Sequence, residues 1–268
     1  MLLRRPCRSA RRPPDQRTDG RAEDEDAHHE TLGGRGQSEV FTHGFEGAVD
    51  DAGVVAEEQS AERSINGDIG DLNLALDPDA QGQRDAHLDA LVELAVRTRA
   101  GAVVLPCGAQ DHDPIESLDA DLDRVAEQLI RAADRAYARG VDIWVEALHF
   151  FRLCWNIDRA AQLAQRLTGT TIGIVMDFSH IVAFGGDPVE FVTRFGPLIT
   201  HVHIRDAVPG DIHRSVGAGE TDFAAGFAAL ADAGYQGHFA LELETRDITD
   251  DQRAGGAVNA GTYVAGLL

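Results

Sequence analysis

Acidic and imidazole side chains interrupt four apolar runs in the C-terminal half of the chain. They are Glu146 in VDIWVEAL (141–148), Asp177 in IGIVMDF (172–178), His201 and His203 in ITHVHI (199–204), and Glu242 and Glu244 in HFALELE (238–244). A strand buried on both faces reads as a near-continuous apolar run. An ionised carboxylate in such a run needs a counter-charge or a metal. The chain contains no lysine, all 24 of its basic residues being arginine, and few arginines fall in these runs. A divalent cation is then the natural partner. Each residue alone has a plainer reading as a surface acid, a helix N-terminal acid or a hydrogen-bonded core histidine. The order carboxylate, carboxylate, imidazole, carboxylate at four consecutive strand ends favours the metal.

The elements that must position these groups follow from periodicity. Apolar runs at 71–76 (DLNLAL), 102–108 (AVVLPCG), 141–148, 172–178, 199–204 and 238–244 are expected as strands. Between them lie amphipathic segments. RDAHLDALVELAVRTRA places Leu88, Leu91, Val92 and Ala95 at helical spacing, and DADLDRVAEQLIRAADRAYARG does the same with Leu122, Val125, Leu129, Ile130 and Ala133 before Gly140. IDRAAQLAQRLTG and TDFAAGFAALADAGYQG are two more helices, and DPVEFVTRFGP is a short one with Asp187 at the N-cap and Pro188 at the first helical position. Strand–helix alternation of this kind means a parallel sheet with helical crossovers. An open dinucleotide-binding sheet would carry G-x-G-x-x-G after its first strand. Only Gly217 and Gly219 in VGAGE come near that pattern, and that loop reads as a turn or an anion cradle. An α/β fold closed as a (β/α)8 TIM barrel, with its chemistry at the C-terminal ends of the strands, is the expected architecture.

The stretches VEALHFFRLCWN, MDFSHIVAFGGDP, HVHIRD with GAGETDF downstream, and GYQGHFALELE resemble, in that order, the sugar phosphate isomerase/epimerase superfamily of xylose isomerase-like TIM barrels. The resemblance covers roughly residues 64–268. It implies Glu146, Asp177, His203 and Glu242 as ligands of one metal. It implies His180 beside the substrate, with His149 and Arg205 as weaker substrate-side candidates. Three carboxylates and one imidazole suit Mn²⁺, Mg²⁺ or Co²⁺, with Zn²⁺ also compatible. Such a metal would chelate a carbonyl and adjacent hydroxyl, acidify the neighbouring C–H and stabilise an enediolate. Glu146 and Glu242 are the expected catalytic bases. One base on each face gives epimerisation, one base shuttling between carbons gives isomerisation, and loss of a β-hydroxyl gives dehydration. The expected activity is a divalent-metal-dependent isomerase or epimerase of a small sugar, polyol or keto acid. The alternatives are an inosose-type dehydratase, an abasic-site-type endonuclease and a catalytically silent barrel.

Composition narrows these readings. A formal charge of -21 opposes nucleic acid as a partner, because phosphate binding needs clustered basic surface. The absence of lysine removes Schiff-base chemistry. Three cysteines, Cys7, Cys107 and Cys154, imply no disulfide framework, and no run is long enough for a membrane span. A cytoplasmic protein without membrane partners is expected, with homo-oligomerisation left open. Residues 1–63, where the first two β/α units belong, lack a sustained period of 2 or 3.6, apart from a strand-like VFTHGFEGAV (40–49) and a weakly helical DDAGVVAEEQSAER (50–63). They read either as an irregular segment or as text translated from a wrong start or frame.

Overall fold

The computed structural model describes residues 64–243 and 245–268, so the strand-like and helix-like readings before residue 64 lie outside the described residues. The strands are β1 (Ser64–Asn66), β2 (Ala102–Pro106), β3 (Asp142–Glu146), β4 (Gly173–Asp177), β5 (Ile199–Ile204), β6 (Asp206–Val208), β7 (Asp211–Arg214) and β8 (Phe239–Leu241). Six of them form one parallel sheet in the order β1-β2-β3-β4-β5-β8, and β6 and β7 form a separate antiparallel hairpin. The helices are α1 (Pro78–Thr98), α2 (Leu118–Tyr137), α3 (Ile157–Arg166), α4 (Phe178–Ala183), α5 (Pro188–Phe195), α6 (Phe223–Asp232) and α7 (Arg253–Ala265).

Alternation along the strands builds two buried faces. Val103, Leu105, Ile143, Val145, Ile174, Met176, Val202 and Ile204 join the core shared with the helices. Ala102, Val104, Trp144 and Val175 form a separate apolar cluster. Glu146, Asp177 and His203 have the parity of this second face, so they belong to the interior that a barrel encloses. Helix starts follow side-chain caps. Asp77, Ser117, Asn156 and Asp187 accept from the first-turn amides of α1, α2, α3 and α5, each cap contributing about 1 kcal/mol. Asp187 and Pro188 occupy the positions expected from sequence. Between α1 and α2, Asp85, Asp89 and Glu93 meet Arg131, Arg135 and Arg139 in a ladder of ion pairs at i,i+4 spacing. Among the described residues no helix is long and apolar enough to cross a membrane.

Two strand expectations are corrected. DLNLAL (71–76) is a turn, and β2 pairs instead with Ser64–Asn66. Within the turn, Asn73 donates to Asp121 at 2.8 Å and accepts from Ala109 N–H at 2.7 Å. Its amide thus ties the β1–α1 loop to α2 and to the loop after β2, while Leu72 fills the core and Leu74 stays exposed. Leucines at alternate positions in a loop mimic strand alternation. The last strand also stops at Leu241, so Glu242 stands one residue beyond it. The β6–β7 hairpin and the helices α4 and α7 were not foreseen.

Candidate metal centre

β3, β4 and β5 deliver Glu146, Asp177 and His203 from their C-terminal ends, and Glu242 follows the end of β8. One ligand atom from each of these four residues lies within 4.8 Å of all the others. His203 Nδ1 is 3.2 Å from Glu146 Oε1 and 3.0 Å from Glu242 Oε1. Asp177 is buried and divides its two oxygens between different tasks. Oδ1 accepts from Ser179 N–H and from the Ser179 hydroxyl, both at 2.7 Å, and from His180 N–H at 3.3 Å. These bonds cap α4 and fix the carboxylate plane. Oδ2 is buried without a hydrogen-bond partner. A carboxylate oxygen left free in the interior costs stability unless a cation meets it. That oxygen, without a hydrogen bond and with two glutamates and an imidazole beside it, fits a divalent ion held by oxygen and nitrogen donors.

The electrostatics reflect the crowding of charge. Burial pushes the Glu146 carboxyl up, but the His203 hydrogen bond and the neighbouring His149 and His180 outweigh it and hold Glu146 below the usual carboxylate range. Burial likewise opposes charge on Glu242, and His203 and Arg205 overcome it, lowering its pKa to about 2. Burial disfavours charge on His203 too, yet Glu242 and Glu146 raise its pKa well above that of a free imidazole. His149 and His201 go the other way, each lowered to about 3, burial being the first cause and a neighbouring imidazole the second.

The remaining candidates surround this cluster. His180 Nε2 lies 3.8 Å from Asp177 Oδ2, and His149 Nε2 lies 3.8 Å from Glu146 Oε2. Glu146, His149 and His180 themselves form a second group whose ligand atoms lie within 4.8 Å of one another. Arg205 is buried, donates from Nε to Ser179 Oγ at 3.1 Å, and places Nη2 3.1 Å from Glu242 Oε2 and 3.6 Å from Asp177 Oδ2. Its guanidinium therefore faces the carboxylates. Of the histidine pair, His201 stacks on Trp144 and meets the edge of the His203 ring, each at 5.2 Å between ring centroids, and it is not one of the four residues whose ligand atoms converge. Glu244 lies outside the described residues.

The VGAGE loop is not an open anion cradle. Asp206 fills it with its own carboxylate, accepting N–H bonds from Gly217 and Gly219 at 2.9 Å, Thr221 at 3.1 Å and Ala207 at 2.8 Å. Gly219 has no room for a Cβ, which would meet the Asp206 carboxylate and the Ala207 carbonyl. Ser179 and Asp206 were both missed from sequence. The signal for Ser179 was its place two residues after Asp177, where a hydroxyl can return to a capping carboxylate. The signal for Asp206 was an acid shortly ahead of a glycine-rich turn.

Comparison with known proteins follows the same line. A family model described as xylose isomerase-like TIM barrel matches residues 44–261. An uncharacterised protein of Mycobacterium leprae is 34% identical over 84 residues, which cover 31% of this chain and 30% of that protein. The rhizopine catabolism protein MocC of Rhizobium meliloti is 30% identical over 106 residues, 32% of each chain. An inosose dehydratase of Lacticaseibacillus casei is 24% identical over 147 residues, covering 47% of this chain and 48% of that protein. The chain thus spans under a third of the first two relatives and about half of the third. Among solved structures, the IolI protein with a bound zinc atom superposes with a TM-score of 0.63 at 18% identity, covering 76% of this chain and 77% of that one. A D-tagatose 3-epimerase-like protein gives a TM-score of 0.63 at 20% identity, covering 79% and 78%. At such identities these likenesses speak for the fold. With the family model spanning most of its length, from residue 44 into α7, the chain belongs to the xylose isomerase-like TIM barrel family.

Proposed function

We propose that the chain is a divalent-metal-dependent isomerase or epimerase of a small sugar, polyol or keto acid. The supporting observation is the convergence of Glu146, Asp177, His203 and Glu242, with Asp177 Oδ2 buried and not hydrogen-bonded among them. These four residues would hold the ion. When bound, it supplies Lewis acidity to a carbonyl and a neighbouring hydroxyl of the substrate. The chain's own groups do the rest. Glu146 and Glu242 are held ionised by their imidazole and guanidinium neighbours, so each can accept a proton from carbon. Ser179 and Arg205 position the carboxylates, and the interior face of Trp144 and Val175 keeps bulk water from beneath the site. Dehydration of an inosose-like substrate is the second reading, favoured by the sequence likeness to inosose dehydratase.

Metal analysis and deuterium incorporation test this together. Purified protein should contain about one tightly held divalent ion per chain. With Mn²⁺ added, a panel of ketoses in D₂O should take up deuterium at the carbon next to the carbonyl. Glu146→Gln and Glu242→Gln should each lower that uptake by about 10²–10⁴-fold, the usual contribution of a positioned base. Loss of water in place of exchange would move the assignment to the dehydratase. Absence of bound metal together with unchanged exchange in both variants would remove the enzyme reading.

A further inference from the structure

Glu242 faces two ways. It offers an oxygen to the four-residue centre, and it also lines a cavity of about 180 Å³ between the loop after β7, the segment after β8 and α7. At the ~30 Å³ that a water molecule takes in the liquid, the cavity has room for about six non-hydrogen atoms, the size of three CHOH groups in a row. Glu242 accepts hydrogen bonds there, the Asn259 amide both donates and accepts, and Val216, Ile248 and Ala257 offer carbon surface. Such a wall matches a hydroxylated carbon chain. A barrel that holds a phosphate commonly does so in this region, between the loops after its last two strands and the start of a following helix. In this chain those loops follow β5 and β8, and their anion-binding donors already meet carboxylates of the chain. Asp206 holds the Gly217 and Gly219 amides. The Ser215 amide and hydroxyl both donate to Asp247, each at 2.8 Å. Burial pushes the Asp247 carboxyl up, but these bonds outweigh it and hold it below the usual carboxylate range. In the turn Asp250–Gln252 that leads into α7, two aspartates stand where a helix start favours an anion, and Gln252 Oε1 accepts from the Thr249 amide at 2.9 Å. Arg253, in the cavity wall, is paired with Asp250 at 2.8 Å and donates to the Leu243 carbonyl at 2.8 Å.

We propose that this cavity receives the uncharged, hydroxylated end of a sugar of about five or six carbons whose carbonyl sits at the four-residue centre, and that Asp206 and Asp247 bar the phosphorylated form of the same sugar. The proposal rests on the metal-dependent reading and narrows it to unphosphorylated substrates. The exclusion acts by charge. A phosphate entering the cavity would meet Glu242 and Asp247 with the amides beside them already engaged. Like charges brought together at partly buried positions lose affinity, whereas a hydroxyl at the same place finds both a donor and an acceptor. The chain's own carboxylates thus stand where a bound phosphate would otherwise be held.

The test compares D-fructose with D-fructose 6-phosphate and D-ribulose with D-ribulose 5-phosphate, alongside dihydroxyacetone, which is too short to reach the cavity. Saturation-transfer NMR on Zn²⁺-loaded protein gives affinities, and deuterium uptake from D₂O with Mn²⁺ gives KM. The free sugar of at least one pair should bind at least about tenfold more tightly than its phosphate. Asp247→Asn should narrow that gap by about threefold or more. Ala257→Leu, which fills the cavity from α7, should raise the ratio of the D-fructose KM to the dihydroxyacetone KM by about tenfold. The comparison of free and phosphorylated sugars in the parent protein needs no variant, so it decides even where a variant does not fold. Equal or tighter binding of the phosphates would overturn the proposal. So would a gap unmoved by Asp247→Asn, a KM ratio unmoved by Ala257→Leu, or binding of none of these compounds. Dihydroxyacetone separates the two readings. If it takes up deuterium while the phosphates bind as well as the free sugars, the four-residue centre stands and the cavity assignment falls. If the protein binds no metal and no compound exchanges, the centre falls and takes the cavity assignment with it.

Discussion

Ser179→Ala isolates the support beneath the candidate metal centre. The Ser179 hydroxyl donates to Asp177 Oδ1 at 2.7 Å and accepts from Arg205 Nε at 3.1 Å, and Ser179 is fully buried. Water cannot replace either bond without a cavity larger than the lost oxygen leaves. A hydrogen bond to a charged group contributes about 1.5–3 kcal/mol. Two amide donors remain on Asp177 Oδ1, so the lower part of that range applies, about 2 kcal/mol. For a domain of this size that is a fall of about 4–8 °C in Tm. The same loss weakens the hold on the plane of the carboxylate, and a support of this kind is worth about 10–100-fold in metal affinity. Scanning calorimetry in chelator reads the first effect, and titration of the metal-free protein with Mn²⁺ reads the second. A Tm within about 1 °C of the parent, far below the shift expected from a buried charged hydrogen bond, would refute the stability reasoning. An intact Mn²⁺ affinity alongside a lowered Tm would refute only the claim that Ser179 acts on the centre through Asp177.

Asp85 gives a pH-dependent stability. Hydrogen bonding to Arg131 leads the causes that lower its carboxyl from 3.8 to about 2. A depressed folded-state value means stability that is complete above about pH 4 and is lost as pH falls through about 2, in total about 1–2 kcal/mol after allowing for solvent around Arg131 and Arg135. Urea unfolding between pH 5 and pH 2 should show a shallower acid loss in Asp85→Asn than in the parent; identical slopes would contradict the assignment. Gly219→Ala should cost about 1–3 kcal/mol by overpacking the Asp206 carboxylate, and amide exchange at Gly217 and Thr221 should accelerate, with unchanged protection telling against the cradle. Gly82→Ala, in α1 where an added Cβ meets nothing within 4 Å, should instead stabilise by about 0.4–1 kcal/mol in thermal or urea unfolding.

Much of this arrangement is visible in the residue order because strand parity and capping chemistry are local. The acids within VDIWVEAL and IGIVMDF mark an enclosed polar interior, and Asp187-Pro188 marks the start of α5. Other features depend on partners distant in sequence. DLNLAL cannot be told from a strand without knowing that Asn73 bonds to Asp121, 48 residues away. VGAGE cannot be told from a phosphate loop without knowing that Asp206 already occupies it. α4 was hidden because its N-cap, Asp177, is also the last residue of β4 and a candidate ligand, so one side chain serves three elements of the description.

Parity also has a limit that register removes. His201 and His203 share one face, as do Ala240 and Glu242, so alternation alone cannot say which residue reaches the centre. Along the sheet, Glu146 stands opposite Val175 and Asp177 opposite His203, while His203 stands opposite Ala240. Glu146 is thus two residues below the level of Asp177 and His203 in pairing terms, and Glu242 is two residues above it. A stagger of four residues over the three steps from β3 to β8 is close to the roughly one residue per strand of an eight-stranded barrel with shear 8. Tilted strands turn such a stagger into equal height along the barrel axis. Four side chains on three levels of the ladder therefore come within 4.8 Å of one another. His201, level with Val175, is left one layer lower against Trp144. The convergence of the candidate ligands is thus a property of barrel tilt acting on parity, which explains why neither the residue types nor their alternation determines it alone.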